Sequence, residues 1–238
     1  YIKFLNLISN LLLIYLLYEL SKQINEEKIK SLFFVFISSI VLFINLDNVY
    51  SFRDIPITLF LISVLGFLNT KKFLYLWIIS FLSIFSLFWS LDKGFYLNLT
   101  LLVFLIFIFS INKKVFFKNI LLILFFWFVG VLFVGLNDFL SFVNNTKEIF
   151  ATHEYFNGLI HPQPFSKDPN SARATKSLIL IIINLIISAL VFFSKEKYFT
   201  NNTKFFFIFF AIINFLTYKS ALSRSDGGHI QVASYYTI

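Results

Sequence analysis

Long stretches of this chain carry no charge, and that feature restricts its fold more than any other. Eight apolar segments, about Phe4–Tyr18, Leu32–Leu46, Ile57–Asn69, Phe73–Trp89, Phe95–Ile111, Ile120–Leu136, Leu178–Phe193 and Phe205–Tyr218, contain no Asp, Glu, Lys, Arg or His. A mean hydropathy of +0.83, with 36 phenylalanines among 238 residues, exceeds what a soluble domain of this size can bury. The expected fold is an all-α integral membrane protein, one polytopic domain over residues 1–238 with about eight transmembrane helices. Several segments fall short of the about 20 residues a spanning helix needs, so their ends must borrow from polar flanks. The third and eighth are the least secure, and both adjoin conspicuous polar residues.

The chain has no cysteine, which excludes disulfides, thiolate metal sites and cysteine nucleophiles. It has no methionine either and opens at Tyr1 inside an apolar run, so a fragment lacking both natural ends is expected. A formal charge of +8 would suggest nucleic acid in a soluble protein. Here the lysines lie between apolar spans, where they orient the chain, and no nucleic-acid partner is expected.

Loop charges set that orientation. The connections Ser21–Ser31, Thr70–Lys72, Asn112–Lys118 and Ser194–Lys204 hold eleven basic residues in 32 positions. The alternate set, Asp47–Pro56, Ser90–Gly94, Asn137–Ser177 and Lys219–Ile238, holds eight in 76. The denser set is cytoplasmic by the positive-inside rule, and the other faces outward. Every histidine and arginine then falls on the outward side, as do Asp47, Asp54, Asp92 and Asp226. Any chemistry is expected there, and the expected location is a bacterial inner membrane with the active face periplasmic.

Four outward clusters admit both a functional and a plainer role. Within Ser51–Pro56, Asp54 can cap the third helix, with Pro56 in its first turn and Arg53 snorkelling to headgroups. Ser90–Gly94 reads as a tight turn with Asp92 capping and Gly94 supplying the bend; it also pins Asp92 and Lys93 at the bilayer surface, flanked by Trp89 and Tyr96 as an interfacial rim. The Arg224-Ser225-Asp226-Gly227-Gly228-His229 run is richer than a turn requires. Its glycines admit an anion to backbone N–H groups, Arg224 can fork onto phosphate, and His229 can relay a proton. In the long loop Asn137–Ser177, Asn137 or Asp138 could cap an interfacial helix, followed by an irregular flap bearing Pro162, Pro164 and Pro169. His153, Glu154 and His161 in that loop lack metal-site spacing and read as solvated.

An outward Arg-Asp at the start of a span, a short Asp-Lys-Gly turn after an aromatic helix, a long outward loop and an Arg-x-Asp-x-x-His cluster together resemble the GT-C superfamily of polytopic glycosyltransferases. The family's paired-acid motif is not matched cleanly, since Asp47 and Asp54 stand seven apart. The resemblance implies transfer of a sugar from a polyprenyl-phosphate lipid to a glycan, lipid or protein acceptor on the outer face. Asp92 or Asp54 would be the base, Arg53, Lys93 and Arg224 would hold the phosphate, and Asp226 and His229 would orient the acceptor or hold a divalent cation such as magnesium, which nothing in the sequence requires. Three alternatives remain: an O-antigen-type polymerase or ligase relying on Arg173 and His161, a lipid or glycan flippase, and a non-catalytic membrane scaffold. A flippase needs a polar path between helices, for which Asn184 and Asn214 are the visible candidates.

Overall fold

The computed structural model describes residues 1–24, 28–44, 51–157, 163–167, 171–195 and 199–222. All regular structure among them is helical: α1 (Ile2–Ile24), α2 (Lys28–Ile44), a 3₁₀ turn (Ser51–Asp54), α3 (Ile55–Thr70), α4 (Phe73–Trp89), α5 (Leu91–Ile111), α6 (Lys113–Val134), α7 (Leu136–Asn157), α8 (Ser171–Phe193) and α9 (Asn201–Leu222). Over the described residues each of the eight apolar segments is helical, the sixth running from α6 across Gly135 to the start of α7. Five helical stretches are long and apolar enough to cross a membrane: Ile2–Gln23, Phe52–Thr70, Leu91–Ile111, Lys113–Val134 and Ala174–Phe193. Two shorter apolar helices, Ile29–Ile40 and Phe73–Trp89, accompany them. Among the described residues five stretches thus qualify as candidate spans by length and composition, against an expected count of about eight. The spans reach their length by absorbing polar flanks: α5 takes in Asp92 and Lys93, and α6 begins at Lys113.

The third segment, the least secure in sequence, is the centre of the fold. In α3 the residues Ile57, Phe60, Leu61, Val64, Leu65 and Leu68 are buried, because α1, α4, α5 and α9 all pack on it. Phe104 of α5 joins the layers through edge-on contacts to Phe60 and Phe67 of α3 and Phe209 of α9, at centroid separations of 6.4, 6.0 and 5.6 Å. By contrast, only 6% of the most apolar stretch of α6 is buried, against 61% for α3. Leu121, Leu124, Phe128, Leu132 and Phe133 of α6 are exposed, a face that water would penalise heavily and lipid tails would not.

Connections are tighter than the sequence suggests. Ser90 alone separates α4 from α5, and Asn112 alone separates α5 from α6, its side chain accepting from the N–H groups of Lys114 and Val115. The five-residue turn expected at Ser90–Gly94 is thus one residue of extended backbone followed by the first turn of α5. Gly94 supplies no bend. It lies where α5 presses on α4, and a Cβ there would sit 2.6 Å from Cα of Leu87. The long loop also differs: α7 starts at Leu136 after Gly135, whose φ of 94° suits glycine, so neither Asn137 nor Asp138 caps it. α7 runs on to Asn157 and α8 begins at Ser171, so both ends of the expected flap are helical; Pro164 lies in a short turned segment, while Pro162 and Pro169 fall outside the described residues.

Because backbone, not a movable side chain, opposes position 94, Gly94→Ala should lower the midpoint of thermal unfolding in detergent by the equivalent of about 1–3 kcal/mol. Val129→Ala, on the mostly exposed α6, should shift it far less.

Candidate functional site

The 3₁₀ turn and the α4–α5 junction meet at one end of the bundle, and two charged dipeptides interlock there. Arg53 pairs through a guanidinium nitrogen with the Asp92 carboxylate. Its neighbour Asp54 pairs with Lys93, Oδ1 to Nζ 2.7 Å. The two layers differ in their surroundings. Arg53 and Asp92 side chains are 32% and 34% exposed, whereas Lys93 and Asp54 are 1% and 0% exposed. The four formal charges cancel within the cluster.

Neighbouring polar groups hold this arrangement. The N–H of Phe52 donates to Oδ1 of Asn6 on α1 at 2.9 Å, and its carbonyl accepts from Nε1 of Trp89 on α4 at 3.1 Å. The turn carrying Arg53 and Asp54 is therefore gripped from both sides. Ser90 Oγ donates to Asp92 Oδ1 at 2.8 Å and accepts from Arg53 Nε at 3.0 Å, closing a ring of three residues. Asp54 occupies the N-cap position of α3 with Pro56 in the first turn, but its carboxylate makes no cap bond and turns to Lys93 instead. Arg53 likewise faces Asp92 rather than snorkelling outward, and Trp89 and Tyr96 form no open rim: the indole is bonded to Phe52 and Tyr96 is buried.

The remaining sequence candidates divide by position. α9 returns the chain to this end, since Phe205 packs on Phe107 and Phe209 on Phe104 in antiparallel register with α5, and Thr203 Oγ1 reaches Gln23 at the opposite end of α1. Arg224, Asp226 and His229 follow Leu222 and lie outside the described residues, as do Asp47 and His161. His153, Glu154 and Arg173 are on α7 and α8, their side chains outside what is described. Among the described residues no group of three His, Asp or Glu could hold a metal ion. Asp54 and Asp92 each face a cation, so the described cluster does not fit a magnesium site.

A polar seam also runs down the bundle from this cluster. Ser80 donates to Oδ1 of the buried Asn119 at 2.8 Å, Trp127 Nε1 donates to Ser83 Oγ at 3.0 Å, and Asn98 Nδ2 donates to the Ser83 carbonyl at 2.7 Å. These bonds join α4 to α5 and α6, which is how polar side chains fasten helices in an apolar medium. The sequence signal is the serines at positions 80, 83 and 86, a spacing that keeps one helix face. Asn184 and Asn214, the candidates for a polar path, bond to each other at 3.0 Å between α8 and α9.

Compared with protein-family models, curated proteins and solved structures, the chain matches none significantly.

Burial ranks the two ion pairs. Lys93→Met strands a buried carboxylate and should destabilise the protein by about 3–5 kcal/mol, while Asp54→Leu combined with Lys93→Met should recover most of that loss. Asp92→Asn, in the half-exposed pair, should cost about 1 kcal/mol or less. Thermal unfolding of the three variants in one detergent checks the order.

Proposed function

We propose that the protein is a membrane-embedded glycosyltransferase of the GT-C type, moving a sugar from a polyprenyl-phosphate lipid to an acceptor hydroxyl at the outer membrane surface. The observation that carries this reading is the stratification of the charge cluster: a half-exposed Arg53–Asp92 pair stands on a fully buried Asp54–Lys93 pair. The upper pair is reachable by a headgroup, and the lower one is not. Asp54 and Lys93 accordingly become positioning residues, and the roles of base and phosphate ligand pass to Asp92 and Arg53.

The chemistry follows from exchange of partners. In the free protein the Arg53 guanidinium neutralises Asp92, which makes that carboxylate a poor base. A lipid phosphate arriving at the surface offers Arg53 a second anion that it can grip in a fork. As Arg53 turns to the phosphate, Asp92 is relieved of its counter-charge and can accept the proton of the acceptor hydroxyl. The acceptor oxygen then bonds to the anomeric carbon, the bond from that carbon to the phosphate oxygen breaks, and the lipid phosphate leaves with its added charge balanced by Arg53. Ser90, bonded to both residues, keeps them in register during the exchange. Arg224, placed by the sequence just after α9, is assigned as a further phosphate ligand, with Asp226 and His229 orienting the acceptor.

A second reading rests on the cancellation of the four charges: the cluster is then a structural clamp in a scaffold. One experiment separates them. Wild-type protein in liposomes, offered a panel of polyprenyl-phosphate sugars and acceptors, should transfer one of them, and Asp92→Asn should lower turnover by about 10²–10⁴ with little change in unfolding temperature. Unchanged turnover in that variant, or loss of folding together with activity, favours the clamp. Failure of wild-type protein to transfer from any donor overturns the enzymatic reading.

A further inference from the structure

The opposite end of the bundle carries charge of a different kind. Residues 55–91 contain no Asp or Glu, and neither do residues 94–137, yet the connections within these stretches hold Lys71, Lys72, Lys113, Lys114 and Lys118. Where the cluster at Arg53 is neutral, these two connections hold five ammonium groups, and the one carboxylate on α3–α6, Asp92, stands at the other end with Arg53. Lysines at helix ends are the ordinary mark of a cytoplasmic face and need no ligand. Two of them, however, stand over an opening into the fold.

Between the ends of α3 and α5 and the starts of α4 and α6 lies a pocket of about 320 Å³. Phe67, Leu76, Phe107 and Ile111 are among its walls, and Lys71 and Lys118 stand at its rim. The volume falls in the range of small-molecule sites, about 300–1,000 Å³. Lys71 ends α3 in the left-handed region, with φ 55°, and its N–H closes the helix on the carbonyl of Phe67. Glycine or asparagine is usual at such a position, so a lysine there is a departure from the local preference. The two rim ammonium groups lie over rings that line the same pocket, Lys71 over Phe67 at 5.6 Å and Lys118 over Phe73 at 6.0 Å. With desolvation as the cause, the pKa of Lys71 lies below the ordinary lysine value. Lys113 turns instead to Phe109, which does not line the pocket.

An apolar recess with a cationic rim at a membrane surface complements a molecule that is apolar at one end and anionic at the other. The geometry points to a binding site for one anionic diacyl phospholipid, its phosphate between Lys71 and Lys118 and an acyl chain between Phe67, Leu76, Phe107 and Ile111. This site is at the end of the bundle away from Arg53 and Asp92 and does not depend on the proposed activity. The lipid would occupy the space where four helix ends converge, bracing the lysine end as the ion pairs brace the other.

The test uses the full chain in a neutral detergent, with bound lipid measured by native mass spectrometry. Dioleoyl phosphatidylglycerol should saturate at one tightly held molecule per chain, and dioleoyl phosphatidylcholine should bind at least tenfold more weakly. Lys71→Gln with Lys118→Gln should weaken the phosphatidylglycerol adduct tenfold or more. Lys113→Gln with Lys114→Gln removes the same charge away from the pocket and should change it less than twofold. Val115→Trp, which fills the pocket from its half-exposed edge, should also weaken binding tenfold. Equal losses in the two lysine pairs would reduce the effect to general surface charge and overturn the site. Equal binding of phosphatidylcholine, displacement by inorganic phosphate at equal concentration, or indifference to Val115→Trp would overturn it as well. All these positions are exposed or half-exposed, and gel filtration and the unfolding midpoint report whether each variant is folded.

Discussion

A lysine and an aspartate with almost no contact with solvent are the constraint on which this end of the molecule is built. Neither Asp54 nor Lys93 could be buried alone, since an isolated ion in an apolar interior costs far more than any helix contact returns. Their meeting at 2.7 Å requires the 3₁₀ turn before α3 to lie against the first turn of α5. That requirement in turn demands the one-residue connection at Ser90 and the absence of a side chain at Gly94. Arg53 and Asp92, adjacent in sequence to the buried pair, are carried into register above it. The half-exposed pair is thereby set on a foundation that cannot shift without separating two buried ions.

The rest of the bundle is held by weaker and more distributed forces. Aromatic edges from α3, α5 and α9 converge on Phe104, and serines of α4 reach Asn119 and Trp127 of α6. In a bilayer the hydrophobic effect does not drive helices together, because tails are as apolar as leucine. Packing and interhelical hydrogen bonds therefore do the joining, and outward faces such as that of α6 remain apolar without penalty. The two ends differ accordingly: one pairs its charges internally, while at the other Lys71 and Lys118 lie over the rings of Phe67 and Phe73.

The class of fold, helical and apolar enough to span a membrane, was legible before any coordinates, because charge-free runs leave a chain little choice. So was the identity of Arg53, Asp54, Asp92 and Lys93 as residues in need of explanation, since ionisable groups at a span boundary require a partner. The serines of α4 and the five acid-free lysines are equally plain in the sequence. What could not be read was pairing. Local spacing offers Asp54 and Asp92 as caps, turn residues or bases and names a partner for neither, because it describes only neighbours along the chain. The tertiary fold decided that Asp54 takes Lys93 and that Arg53 takes Asp92, across separations of 39 residues in each case. It also decided that α3, short and bounded by polar residues, is central. The physical reason is the same throughout: periodicity and composition report each segment's relation to solvent or lipid, whereas burial of a charge is set by which distant segment arrives to neutralise it.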